Sequence, residues 1–137
     1  MPRCLVARRL HFNAAHRLHN PAQSDEWNRD TFGPCNNPHF HGHNYDLDVI
    51  VEGEIDAETG YVLDVGVLKR IVEETVIQQL DHRNLNLEVP WFQDHIPSAE
   101  NIAVFIWHLI EPRIPSGRLQ RIRLWETPRN YVDYEGG

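Results

Sequence analysis

The sequence is short of cysteine, of positive charge and of long apolar runs, and each shortage removes a class of protein. It holds two cysteines in 137 residues, Cys4 in an apolar alternation and Cys35 in a polar loop. That usage argues against a disulfide scaffold and fits a cytoplasmic protein with reduced thiols. No stretch reaches the roughly 18–20 apolar residues that a membrane helix needs. The segment Met1–Leu10 carries arginines but no uninterrupted apolar core with a small-residue cleavage site, so no secretory leader is expected. Lys and Arg number 13 against 20 Asp and Glu, a net charge of −7, which argues against a general nucleic-acid binder. Histidine is the exception: there are nine, and His39, His41 and His43 fall within five residues.

Hydrophobic content of 41% and charged content of 24% are ordinary for a globular protein, and the length suits one domain over residues 1–137. Leu5–Ala15 reads as a strand, with Cys4, Val6, Leu10, Phe12 and Ala14 on one face and Arg9, His11 and Asn13 opposite. Residues 19–38, rich in Asn, Pro, Asp, Ser and Gly, read as a long irregular stretch of the kind that often carries function. A second strand is expected from about Gly42 to Glu54, with His41, His43, Tyr45, Leu47, Val49 and Val51 on one face. From Asp64 to Leu80 the period becomes helical through Leu68, Ile71, Val72, Val76 and Leu80. A second helix follows Pro97 with Ser98 as N-cap, its stripe running through Ile102, Phe105, Ile106, Leu109 and Ile110. Arg118–Thr127 alternates again, and Asn130–Tyr134 is a last short strand. The expected architecture is α+β in the order ββααββ: a four-stranded antiparallel sheet with two helices on one face. The edges of such a sheet would be managed by closing several copies into a barrel.

His41-Gly42-His43 is the strongest local signal. Residues i and i+2 of a strand point the same way, so two imidazoles share a face, and Gly42 lets the backbone bend between them. His16 continues the inward face of the first strand and meets them if the strands pair antiparallel. Three neutral histidines with an open fourth position make a catalytic Zn2+ site. The bland alternative is two surface histidines at a strand start. His39 shares their parity but lies back in the loop and is not expected as a ligand. Cys35 is a thiol in a polar loop close in sequence to that cationic site, where a reactive thiolate is expected; taken alone, an inert loop cysteine is the simpler reading. Asp81-His82 follows the first helix; it either tunes a thiol or merely finishes the helix. Glu126 shares a face with Ile122 and Leu124, so it either stays wet at a fraying end or pairs with a flat heterocycle offering two N–H donors.

Together these residues resemble the 6-pyruvoyl-tetrahydropterin synthase family. The segments that carry the resemblance are Phe12-Asn13-Ala14-Ala15-His16-Arg17-Leu18, and Phe32-Gly33-Pro34-Cys35-Asn36-Asn37-Pro38 running into His41-Gly42-His43-Asn44-Tyr45. Gly53-Glu54-Ile55-Asp56, Leu80-Asp81-His82-Arg83-Asn84-Leu85-Asn86, Pro97-Ser98-Ala99-Glu100-Asn101 and Glu126-Thr127-Pro128 follow. The resemblance implies the tunnelling fold, in which subunits form barrels that stack into a homohexamer with active sites between subunits. It implies His16, His41 and His43 as zinc ligands, Cys35 as general base, Asp81 and His82 as its relay, and Glu126 as pterin anchor. Ser98 stands where the family often has threonine near the pterin, and Glu100 lies in the same substrate-binding segment. The implied reaction converts 7,8-dihydroneopterin triphosphate to 6-pyruvoyl-tetrahydropterin, with zinc as Lewis acid. Arg17, His19 and Lys69 are the candidate cations for the triphosphate.

Two other readings compete. A sister activity, 6-carboxytetrahydropterin synthase, shares substrate, zinc site and thiol but releases acetaldehyde. Five residues separate Cys35 from His41, which resembles the pyruvoyl-forming branch. A non-catalytic zinc-stabilised binding protein is the rival from another class, but it would not need Cys35, His82 and Glu126 together.

Overall fold

The computed structural model describes residues 1–137. Two 14-residue strands form its centre: β1, Arg3–His16, and β2, His41–Glu54, paired antiparallel along their whole length. Their register sets His16 opposite His41, Ala14 opposite His43 and Phe12 opposite Tyr45. The alternation predicted for β2 holds: Tyr45, Leu47, Val49 and Val51 are all fully buried. Gly42 does not bend the strand, since the ladder runs through it, opposite Ala15. The unusual backbone lies two residues earlier. Phe40 has φ 68 and its N–H closes a turn on the Asn37 carbonyl at 3.0 Å, so β2 begins at the first ligand candidate.

Between these strands lies a correction. Residues 19–38 are not irregular throughout: α1 spans Asp25–Phe32, and a 3-10 turn, Gly33–Asn36, carries Cys35. The helix is short and its one buried residue is polar, so it has no apolar stripe for periodicity to detect. Ser24 caps it by accepting from Trp27 N, and Asp25 and Glu26 complement its first turn. Asn28, fully buried, ties it down: its Oδ1 accepts from Asn20 N at 2.7 Å, and its Nδ2 donates to the carbonyls of Asn20, Gln23 and Ser24.

After β2, Asp64 caps α2, Val65–Val72; a π-helical turn, Glu73–Ile77, joins it to α3, Gln78–Leu80. All five residues of the predicted stripe are buried. The chain then adds β3, Arg83–Asn84, a short α4, Leu85–Glu88, and α5, Ala99–Ile110, capped by Ser98. β4, Arg118–Thr127, and β5, Asn130–Tyr134, complete the sheet. Its order is β3-β1-β2-β4-β5, and β3 pairs parallel to β1. The sheet is therefore five-stranded and mixed, where four antiparallel strands were expected. Two residues are too few to show an alternation, which is why β3 was missed.

α5 packs on β4 and β5, and α2 on β1, closing a 26-residue apolar core. The opposite face is covered by charge pairs: Arg9 grips Asp48 with two hydrogen bonds, Trp125 Nε1 adds a third, and Arg123 grips Asp133. No helix is long and apolar enough to cross a membrane.

Asn28→Ala removes four hydrogen bonds and leaves the Asn20 N–H without its acceptor. It is expected to cost roughly 2–4 kcal/mol, read as a lower urea midpoint at unchanged slope. A change below about 1 kcal/mol would show that Asn28 does not hold this segment.

Candidate active site

The pairing of β1 with β2 assembles the predicted histidine set. His16, His41 and His43 offer ring nitrogens that all lie within 4.8 Å of one another. His16 is buried at the end of β1, and its Nδ1 donates to the Pro97 carbonyl at 2.7 Å. A carbonyl only accepts, so this bond puts the proton on Nδ1 and leaves the Nε2 lone pair facing the other two rings. His16 Nε2, both ring nitrogens of His41 and Nε2 of His43 are buried without a hydrogen-bond partner. Four orphaned nitrogens in one enclosure are costly in a free protein, and a cation would satisfy one on each of the three rings. The donor set, three imidazoles and no thiolate, fits zinc with an open position. His39 is exposed and lies outside the group.

The electrostatics favour neutral ligands. Burial drives the His16 pKa down from 6.5 to about 4, against the Pro97 carbonyl, which pulls it up, and with His41 and His43 pushing it lower. His41 is also lowered, first by burial and then by His43, with Glu126 opposing. Neutral imidazoles bind a metal without first losing a proton.

The Cys35 turn is sewn to the end of β1. Leu18 N donates to the Cys35 carbonyl at 2.9 Å, Arg17 Nε to the Asn36 carbonyl at 2.8 Å, and Asn36 Nδ2 to the Leu18 carbonyl at 2.7 Å. Asn86 fastens the same stretch, accepting from Arg17 N and donating to Arg17 O. Cys35 is a free, half-buried thiol whose carbonyl is held by the N–H of Leu18, two residues past His16. Asn36 and Asn86, which do this fastening, went unread in the sequence because buried amides bonding to backbone leave no pattern.

Glu126 reaches the triad, its Oε2 3.9 Å from His16 Nε2. It sits where the β4–β5 pairing slips between Trp125 and Thr127. A bulge there aims a side chain and is common beside functional sites. Tyr45, which the sequence placed only as a core position, lies against the triad with its ring 5.6 Å from that of His43. Burial pushes its phenol further up than Glu126 and Cys35 do, so it stays protonated.

Asp81 and His82 do not join this group within one chain. Asp81 Oδ1 accepts from Asn13 N at 3.0 Å, and its Oδ2 lies 3.0 Å from His82 Nδ1. Burial raises the Asp81 pKa, but the Asn13 amide, the bond to His82 and the nearby His11 together outweigh it and lower the net value. His82, at φ 62 and with its side chain 76% exposed, opens onto a hollow of about 530 Å³ whose lining includes Asn13, Ala15, Gly42, Asn44 and Glu88, and which His43 also borders. Asn13, Ala15, Gly42 and Asn44 alternate with the inward-facing residues, so this hollow belongs to the face away from the helices. Ser98 Oγ accepts from Asn101 N as the α5 cap, and Glu100 is exposed on the first turn of that helix. Arg17 borders two hollows beside the Cys35 turn, one with Arg29 and one with His19 and His95. Lys69 lies on α2, 3.9 Å from Glu73.

The His16 shift sets a pH dependence. Between about 4 and 6.5 the unfolded chain binds the proton that folded His16 refuses, so stability is present above 6.5 and lost as pH falls towards 4. Metal-free protein is expected to lose up to roughly 3 kcal/mol across that window, read as a falling melting midpoint. A midpoint indifferent to pH in this range would contradict a buried neutral His16.

Comparison with known proteins identifies the family. The profile for 6-pyruvoyl tetrahydropterin synthase matches residues 5–137. The 6-pyruvoyl tetrahydrobiopterin synthase of Homo sapiens is 47% identical over 131 residues, covering 96% of this chain and 90% of the relative. A dihydroneopterin monophosphate aldolase of Pyrococcus furiosus is 39% identical over 128 residues, covering 93% of each chain. The structure of Caenorhabditis elegans 6-pyruvoyl tetrahydropterin synthase superposes with a TM-score of 0.95 at 37% identity, covering 100% of this chain and 98% of that one. Matched along nearly its whole length, the chain belongs to the 6-pyruvoyl tetrahydropterin synthase family.

Proposed function

We propose that this protein converts 7,8-dihydroneopterin triphosphate to 6-pyruvoyl-tetrahydropterin with loss of triphosphate, as a zinc-dependent enzyme. The observation that carries the reading is the set of orphaned histidine nitrogens flanked by Cys35 and Glu126. It is supported by the names of the relatives, several of which are 6-pyruvoyl tetrahydrobiopterin synthases.

His16, His41 and His43 would hold the zinc, which when bound acts as a Lewis acid towards the side-chain hydroxyls and acidifies their C–H bonds. Glu126 pairs with two N–H groups of the pterin ring, and Ser98 and Glu100 line the same end. Cys35 takes protons from the side-chain carbons. The freed electrons reduce the dihydropterin ring, the side chain is oxidised, and triphosphate leaves from its terminal carbon, so no outside oxidant is needed. Asp81 orients His82, and His82 exchanges the proton with Cys35. Asp81 and His82 lie beside β3 at the β1 edge and outside the histidine group, which supports a relay supplied by another copy. A barrel-forming homohexamer of single-domain chains would do this. Arg17 and His19 are better placed for the triphosphate than Lys69, because they border the hollows beside the Cys35 turn. The thiol chemistry suits a cytoplasmic setting that keeps Cys35 reduced.

Incubation with dihydroneopterin triphosphate should give a pterin that retains all three side-chain carbons, with no acetaldehyde. Cys35→Ala should keep fold and metal but lose roughly two to four orders of magnitude in turnover. Stoichiometric acetaldehyde would replace pyruvoyl formation by carbon–carbon cleavage, and near-normal turnover of the variant would remove the thiol from the chemistry.

A further inference from the structure

The three histidines are not the only groups left unsatisfied in this enclosure. Tyr45 follows His43 on the same face of β2 and is fully buried, its ring stacked on Phe12 at 4.9 Å. It meets the rings of His43 and His16 edge-on, at 5.6 and 6.4 Å. Its hydroxyl has no hydrogen-bond partner in the chain, alongside the orphaned nitrogens of His16, His41 and His43. Its ring lies 6.4 Å from that of His16, whose Nε2 is 3.9 Å from Glu126 Oε2, so the phenol shares the enclosure with Glu126.

A buried phenol normally finds a partner, and an unpaired hydroxyl is destabilising. A packing role alone does not explain it, because phenylalanine fills the same space without that cost. A cation among the imidazoles would take one nitrogen from each ring but offers nothing to an O–H donor. The phenol needs an acceptor, and a ligand oxygen lodged beside the triad would supply one.

We propose that Tyr45 is a further catalytic residue, whose phenol donates a hydrogen bond to a side-chain oxygen of the substrate lodged against the histidine triad. The assignment rests on the activity proposed above. As Cys35 draws a proton from the neighbouring carbon, negative charge builds on that oxygen. The hydrogen bond strengthens with it, so the contact is worth more in the transition state than in the ground state. The reach of the donor also selects the ligand: an oxygen two bonds from an acidic C–H, as in a polyhydroxylated side chain, rather than an apolar one.

Tyr45→Phe tests this, since it deletes one oxygen and keeps the ring. Turnover of dihydroneopterin triphosphate is expected to fall about a hundredfold in kcat, with KM within about threefold. Zinc content should be unchanged, and the melting midpoint of the ligand-free protein should stay level or rise, because the lost hydroxyl had no partner. Turnover within about threefold of wild type would overturn the assignment. So would a clearly lower midpoint, which would give the hydroxyl a structural partner, or loss of zinc, which would make it a metal ligand. Wild-type protein inactive on the triphosphate would sink the activity reading by itself. The claim for Tyr45 is then decided by the midpoint and by binding of unphosphorylated 7,8-dihydroneopterin, which presents the same hydroxyls and should bind the variant about two- to threefold more weakly, in line with the small KM change; equal binding would overturn it.

Discussion

The imidazole of His16 is fixed by two constraints, burial at the end of β1 and the 2.7 Å bond from its Nδ1 to the Pro97 carbonyl, and the rest of the site follows from them. The bond sets the tautomer, the tautomer turns the Nε2 lone pair inward, and burial keeps that nitrogen unprotonated. His41 and His43 complete the set only because β1 and β2 pair with His16 opposite His41. A one-residue slip would send the β2 histidines to the other face. That register is held by the inward row of Tyr45, Leu47, Val49 and Val51, so the apolar core and the metal-ligand geometry are one constraint. The carbonyl comes from the residue just before the α5 cap, so the helix start also serves the site.

The two faces of the sheet have separate work. The inner face carries the triad, Tyr45 and Glu126, with Cys35 held beside them by the bonds of Leu18, Arg17 and Asn36. The outer face carries Arg9–Asp48 and Arg123–Asp133 pairs and, at the β1 edge, the hollow beside His82. Two strained residues mark the two places: Phe40 at φ 68, just before His41, and His82 at φ 62. Left-handed backbone at non-glycine residues costs about 1–3 kcal/mol and persists mainly where function holds it.

Much of this was legible in the sequence because it depends on parity. The two-residue period of the strands placed His16, His41 and His43 on one face, and the change to a helical period located α2 and α5. Glu126 was readable for the same reason, although the bulge that aims it was not. What escaped reading has no periodic signature. α1 is a short helix anchored by a buried asparagine, β3 is two residues long, and the acceptor for His16 is a backbone carbonyl distant in sequence. Tyr45 was hidden differently: its position reads as core, and only the unpaired hydroxyl separates it from a packing residue. The separation of Asp81 and His82 from Cys35 is a tertiary fact that adjacency to motifs could not convey.

The central claim, that three neutral histidines brought together by the β1–β2 register hold the reactive metal, is most directly tested by anomalous diffraction at the zinc edge on crystals of the purified protein. One peak per chain is predicted, bonded to His16 Nε2 and to ring nitrogens of His41 and His43, present in His39→Ala and absent in His43→Ala. A peak at His39 or His82, or no metal in active wild-type protein, would contradict the account.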